Sequence, residues 1–176
     1  MLRTLRKRRI AWPIIVAVVL ALVGCSSGRQ ADTEPPSAPA EASRGGTVLQ
    51  YLQTSGPVVN RIGDCDKAIL ALVELALSDH SQVSDSSWKE RIATRHQEVT
   101  RLTGELTDIH APDLCQKYQD TMIKIVTIMS DATTKLENAK EQFEVDEAAA
   151  DLAKKNPLLD QASSQLDEMN AAGMKG

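Results

Sequence analysis

From Thr47 onward, apolar residues return at every third or fourth position. That spacing gathers them on one face of an α-helix, and no stretch shows the strict alternation of a half-buried strand. The pattern predicts four helical segments. Segment A, near 57–79, carries Ile62, Cys65, Ile69, Leu72 and Ala76, widened by Val58, Val73 and Leu77. Gly56-Pro57 precedes it, and proline fits a first helical turn, where its missing N–H is not needed. Thr47–Gln53, with Val48, Leu49 and Leu52, is either a short separate helix or a kinked extension of A. Segment B, near 88–109, has Trp88, Ile92, Val99, Leu102, Leu106 and Ile109, with Arg95 in the seam and Gly104 in mid-helix. Ser87 and Glu90 match the spacing of a capping box. Segment C, near 112–142, steps without a gap through Cys115, Tyr118, Met122, Ile125, Met129, Ala132, Leu136 and Ala139 to Phe143. Segment D, near 145–172, runs through Val145, Ala148, Leu152, Leu159, Ala162, Leu166 and Met169. Lys155 breaks its stripe, and Asn156-Pro157 should kink or divide it.

The connections are short. His110-Ala111-Pro112 joins B to C, and a turn of that length requires antiparallel neighbours. Asp146 is the expected cap at the start of D. Were C to run on to Lys155 it would hold about 44 residues and span roughly 66 Å, too long for a domain of this size. The expected fold class is therefore all-α, an antiparallel up-down-up-down four-helix bundle.

Before Thr47 the pattern changes twice. Arg3, Arg6, Lys7, Arg8 and Arg9 make a basic head without an acid, and Ile10–Val23 is almost wholly apolar. At about 14 residues the run falls short of the roughly 20 that span a bilayer as a helix. It has the length of a signal-peptide core. Ser26–Gly46 contains Pro35, Pro36, Pro39 and Gly45-Gly46 and no large apolar residue. Such a segment buries too little to offset its ordering entropy and is expected to be a disordered tether. Fully extended, at roughly 3 Å per residue, it would reach about 60 Å.

At the border of the apolar and polar stretches stands Leu22-Val23-Gly24-Cys25, followed by Ser26-Ser27. The order of basic head, apolar core, small residue before cysteine and polar continuation resembles the bacterial lipoprotein signal with its lipobox. The resemblance implies that Cys25 takes a diacylglyceryl group on its thiol and that a peptidase cuts before it, making Cys25 the first residue of the mature chain. It implies a lipid anchor on the extracytoplasmic face of a membrane. Two or three acyl chains hold a protein firmly where one does not. The chain then divides into a signal peptide (1–24), a lipidated tether (25–46) and a helical domain (47–176). That domain resembles the small all-helical domains of uncharacterised bacterial lipoproteins, which carry no activity to transfer.

Charge narrows the partners. Removing residues 1–24 leaves 15 Lys and Arg against 24 Asp and Glu, a formal net of −9 rather than −4. An acidic chain without a basic patch is a poor ligand for nucleic acid or anionic lipid. The only aromatics left are Tyr51, Trp88, Tyr118 and Phe143, so the core must be aliphatic and offers few aromatic walls to a ligand.

With Cys25 taken by lipid, Cys65 and Cys115 remain as a pair. Both lie on apolar stripes in a compartment that permits disulfides. A Cys65–Cys115 bridge joining A to C is expected, and with it a shared level for the two cysteines. The loop of about 50 residues would contribute roughly 4 kcal/mol in the chain-entropy model.

No catalytic chemistry is legible. His80, His96 and His110 form no i, i+4 pair, and there is no HExxH, CxxC or ExxH. Met122, Met129 and Met169 read as core, with no histidine on the D stripe to complete a haem site. Glu141, Glu144, Asp146 and Glu147 lack the spacing of a calcium loop. No GxSxG or glycine-rich phosphate loop occurs. The expectation is a non-enzymatic module without cofactor or metal that docks an envelope protein. The alternative is a small-ligand, metal or haem-binding lipoprotein using the breaks at Gly56-Pro57 and Asn156-Pro157, placed near one end of the bundle.

Overall fold

A helix of 39 residues, α1 (Ala40–Ser78), opens the part of the chain that the structure describes. This computed structural model describes residues 40–173, with side chains from Thr47 to Ala172. α1 answers the question left at Gly56-Pro57: residues 47–56 continue into segment A as one helix, with Pro57 inside it rather than at its start. Pro57 cannot donate to the Gln53 carbonyl one turn earlier. Both residues are exposed, so the missing bond falls on the solvent side and the buried ladder is intact. The helix also reaches back through Gly45-Gly46 to Ala40, beyond the tether boundary expected at 46. Ala40-Glu41-Ala42 has the helix propensity that the prolines further back lack.

A short 3-10 turn, His80–Ser84, follows, and Val83 is buried in it. Asp79 caps this turn. Its carboxylate accepts from Ser81 N at 3.0 Å, Ser81 Oγ at 2.7 Å and Gln82 Nε2 at 3.0 Å. The Ser81 hydroxyl bond is the largest cause holding the Asp79 carboxyl below its ordinary value.

α2 (Ser86–Asp108) begins two residues ahead of the expected start. Its cap is Asp85, whose Oδ1 accepts from Trp88 N at 2.8 Å, and not Ser87. The carboxylate of Asp85 stands at the position where the first free N–H groups converge, and Ser87 is already inside the helix. Trp88, Ile92, Val99, Leu102 and Leu106 are buried, as the stripe requires. Gly104 is exposed, and a methyl group added there meets nothing within 4 Å. Gly104→Ala should therefore stabilise the protein by about 0.5–1 kcal/mol, read as a higher urea midpoint at unchanged slope.

α3 (Asp113–Asn138) is the most buried element and keeps Cys115, Tyr118, Met122, Ile125, Met129, Ala132 and Leu136 inside. It stops short of the expected 142, and Phe143 belongs to the next helix, where it is 55% exposed. α4 (Gln142–Ala153) starts from a capping box of Glu141 and Glu144, not from Asp146. Glu144 accepts from the Glu141 N–H at 2.9 Å, and this reciprocal bonding ends α3 and starts α4 without glycine or proline. Segment D is divided, as Asn156-Pro157 suggested: α4 gives way to α5 (Asn156–Gly173) across Lys154 and Lys155. Pro157 then lies in the first turn of α5, where no N–H is needed.

Cross-helix bonds fix the register. Trp88 Nε1 donates to the Leu72 carbonyl at 2.9 Å, Cys65 Sγ lies 3.9 Å from the Arg95 carbonyl, and Arg61 forks onto Glu105 at 2.9 and 3.0 Å. Rising numbers on α1 meet falling numbers on α2, so the two run in opposite directions. The same holds for α2 and α3. Lys89 Nζ donates to the Ala139 carbonyl at 2.8 Å, His96 Nδ1 lies 3.1 Å from Thr133 Oγ1, and Gln119 Nε2 donates to the carbonyls of Leu106 at 2.8 Å and Ile109 at 2.7 Å. Gln119 thereby satisfies the free carbonyls at the end of α2. α4 and α5 each pack on both α3 and α1, and one apolar core links all of these helices. Among the described residues there is no strand, and no helix is long and apolar enough to cross a membrane.

Candidate functional site

Leu22, Val23, Gly24 and Cys25, on which the anchor rests, lie outside the described residues. Cys65 and Cys115 are both buried, as their stripes required, but they are free thiols. The expected bridge is not formed in this structure, where the two cysteines stand at different levels. Cys115 is close enough to Tyr51 to bear on its ionisation, whereas Cys65 lies 14 residues further along α1 and beside Arg95 of α2. Fourteen helical residues rise about 21 Å, and a disulfide needs its Cα atoms within about 7 Å. Residues 47–56 are not separate from the domain. They pack along it, with Val48, Tyr51 and Ser55 buried. Burial pushes the Cys65 thiol up to about 12, with the Glu98 carboxylate adding to the effect, and burial also raises Cys115. Such thiols are unreactive. Both should resist alkylation in the native protein and react fully once it is denatured without reductant, counted by intact mass.

The least ordinary chemistry inside the domain is an ion pair. Lys155 is 3% exposed and Asp66 8%, and Lys155 Nζ lies 2.9 Å from Asp66 Oδ1. Burial raises the Asp66 carboxyl above its usual range; the Lys155 charge, then its hydrogen bond, and more weakly Lys67, pull it back without overcoming burial. The folded chain thus holds this proton more tightly than the unfolded chain. The ionised form costs stability at neutral pH, and that cost disappears as pH falls through the raised value. Lys155 sits in the break: its carbonyl accepts from Leu159 N at 2.9 Å and opens α5, while its side chain turns inward to α1. Its neighbour Lys154 turns outward to Asp151 at 2.6 Å. Two signals in the sequence mark the pair. Asp66 falls one turn after Ile62 and three before Ile69, and Lys155 interrupts the D stripe, so opposite charges occupy apolar positions on two helices.

A second polar group lies toward the other end of α1. Tyr51, Ser55, Tyr118, Gln119 and Thr121 are all buried. Burial raises both tyrosines, Tyr118 to about 12. Ser55 beside Tyr51 favours its phenolate, yet Tyr51 Oη and Gln165 Oε1 lack a well-aligned hydrogen-bond partner.

On the surface, Ile128, Asp131, Thr134 and Lys135 of α3 meet Asp151 and Lys154 around a shallow concavity of about 430 Å³. Asp151 accepts from Lys135 Nζ at 2.5 Å and from Lys154 Nζ at 2.6 Å. These bonds, the one from Lys135 first, hold its carboxyl down at about 2. A depressed carboxyl contributes stability above its unfolded value near 4, lost only as pH falls through about 2. An NMR titration should find Asp151 still ionised at pH 3, where an ordinary aspartate is largely protonated.

The other candidates separate. His80 is in the 3-10 turn, His96 faces Thr133, and His110 lies in the turn after α2. Met122, Met129 and Met169 are core residues. Glu144 is consumed by the capping box. No group of three or more His, Cys, Asp or Glu that could hold a metal occurs among the described residues. Pro57 lies nine residues before Asp66, about 14 Å along α1, so the two helix interruptions are at different levels rather than at one end. Compared with family models, with curated proteins and with solved structures, the chain matches none.

Proposed function

We propose that the chain is an extracytoplasmic lipoprotein, held on a membrane by lipid on Cys25, whose helical domain is a protein-interaction or structural module of the cell envelope. The observation that carries this reading is the sequence order of basic head, 14-residue apolar core, Leu22-Val23-Gly24-Cys25 and polar continuation. We read the domain as an up-down-up-down bundle in which α4 and α5 share the fourth position, and the proline-bearing stretch before Ala40 as its tether. Support for a docking role is chemical: Leu70, Leu77 and Phe143 are large apolar side chains that remain exposed and would be covered by a partner. The acidic balance of the processed chain argues against nucleic acid.

The test is mass spectrometry of the processed protein from a bacterial host. A first residue of Cys25 carrying acyl chains is expected, and Cys25→Ser should leave the membrane fraction. A mature chain that begins elsewhere overturns the anchor. For the docking role, photo-crosslinking at position 143 in intact cells should capture an envelope protein, and Phe143→Glu should lose it.

A further inference from the structure

We infer that α5 is a releasable strap, hinged at Lys154-Lys155 and latched by the buried Lys155–Asp66 ion pair, which swings away from α1 and α3 while α1 to α4 stay folded. Three observations meet at this helix. First, α5 is thinly held: its buried side chains are Ala162 and Met169, with Leu158, Leu159 and Leu166 only partly covered, whereas α3 buries eleven residues. Elements with few buried apolar contacts open at lower free energy than the core they lie on. Second, its packing is polar where it should be dry, since Gln165 Oε1 is buried without a partner. Closure therefore carries a desolvation penalty that opening relieves. Third, the latch is at the hinge. Lys155 is where the α4 ladder ends and the α5 ladder begins, and its ammonium reaches Asp66 on α1. α4 makes its own contacts with α1, α3 and the 3-10 turn, so it stays in place when α5 leaves.

Native-state hydrogen exchange on the full chain in detergent tests this at constant pH. Amides of α5 should exchange at least about tenfold faster than those of α3 in the wild-type protein. Asp66→Asn, which leaves the ammonium without a counter-charge, should speed α5 by more than about a hundredfold, because the pair is broken when α5 opens. Asp66→Leu with Lys155→Met, which replaces the latch by apolar contact, should slow α5 again and serves if the single variant unfolds. Exchange of α5 and α3 at one common rate in the wild-type protein overturns the strap. So does an Asp66→Asn variant that speeds α3 and leaves α5 unchanged, because the pair would then survive the opening of α5.

Discussion

Lys155→Met should destabilise the protein by about 3–5 kcal/mol, because it leaves the Asp66 carboxylate buried with no counter-charge. Urea unfolding followed by helical circular dichroism at pH 7 measures it. The attraction within the pair is not what this number reports. Bringing both charges out of water costs several kcal/mol each, so a well-packed apolar replacement is commonly neutral or better. Asp66→Leu with Lys155→Met should therefore return to at least the wild-type midpoint. The pH dependence of the single variant separates this account from simple loss of packing. Asp66 already has a raised pKa from burial, and without Lys155 nothing nearby offsets it except Lys67. The penalty for Lys155→Met should then shrink as the pH is lowered and Asp66 takes up its proton. A single variant within 1 kcal/mol of wild type would show that the pair is solvated and that the break between α4 and α5 is held by other contacts.

The helical pattern reached most of this fold because each stripe is a local property. Ile62, Ile69, Leu72 and Ala76, or Met122, Ile125 and Met129, lie inside wherever the helix ends fall. What the pattern does not carry is level. Cys65 and Cys115 share the property of facing inward, yet where one helix stands against another is set by long-range bonds such as Trp88 to Leu72 and Gln119 to Leu106. A stripe is silent on that displacement, so it does not supply the levels that a bridge needs. Caps were missed for a related reason. Ser87, Glu90 and Asp146 have suitable chemistry, but Asp85 and Glu141 stand where the chain actually turns. Continuity through Pro57 was ambiguous because proline suits a first turn as well as an exposed interior position, and tertiary contacts of Tyr51 and Val48 decide between them. The ion pair was legible as two interruptions and was not joined, since no single-helix pattern links residues 89 positions apart.

Trp88→Ala should cost about 3–5 kcal/mol, the range for emptying a large aromatic site in a core. Trp88 is 1% exposed and is the largest fully buried side chain among the described residues. It stands at the start of α2, two residues into a turn already fixed by Asp85, and its ring N–H donates to the Leu72 carbonyl across the α1–α2 contact. Two contributions are therefore combined, and Trp88→Phe divides them. Phenylalanine keeps much of the apolar volume and loses the N–H. The Leu72 carbonyl still has its own helical partner one turn on, so it is not left orphaned, and the lost bond should weigh about 1 kcal/mol. The step from Phe to Ala then reports the cavity. A Trp88→Phe loss as large as that of Trp88→Ala would place the weight on the hydrogen bond, and with it on the register of α1 against α2 rather than on packing.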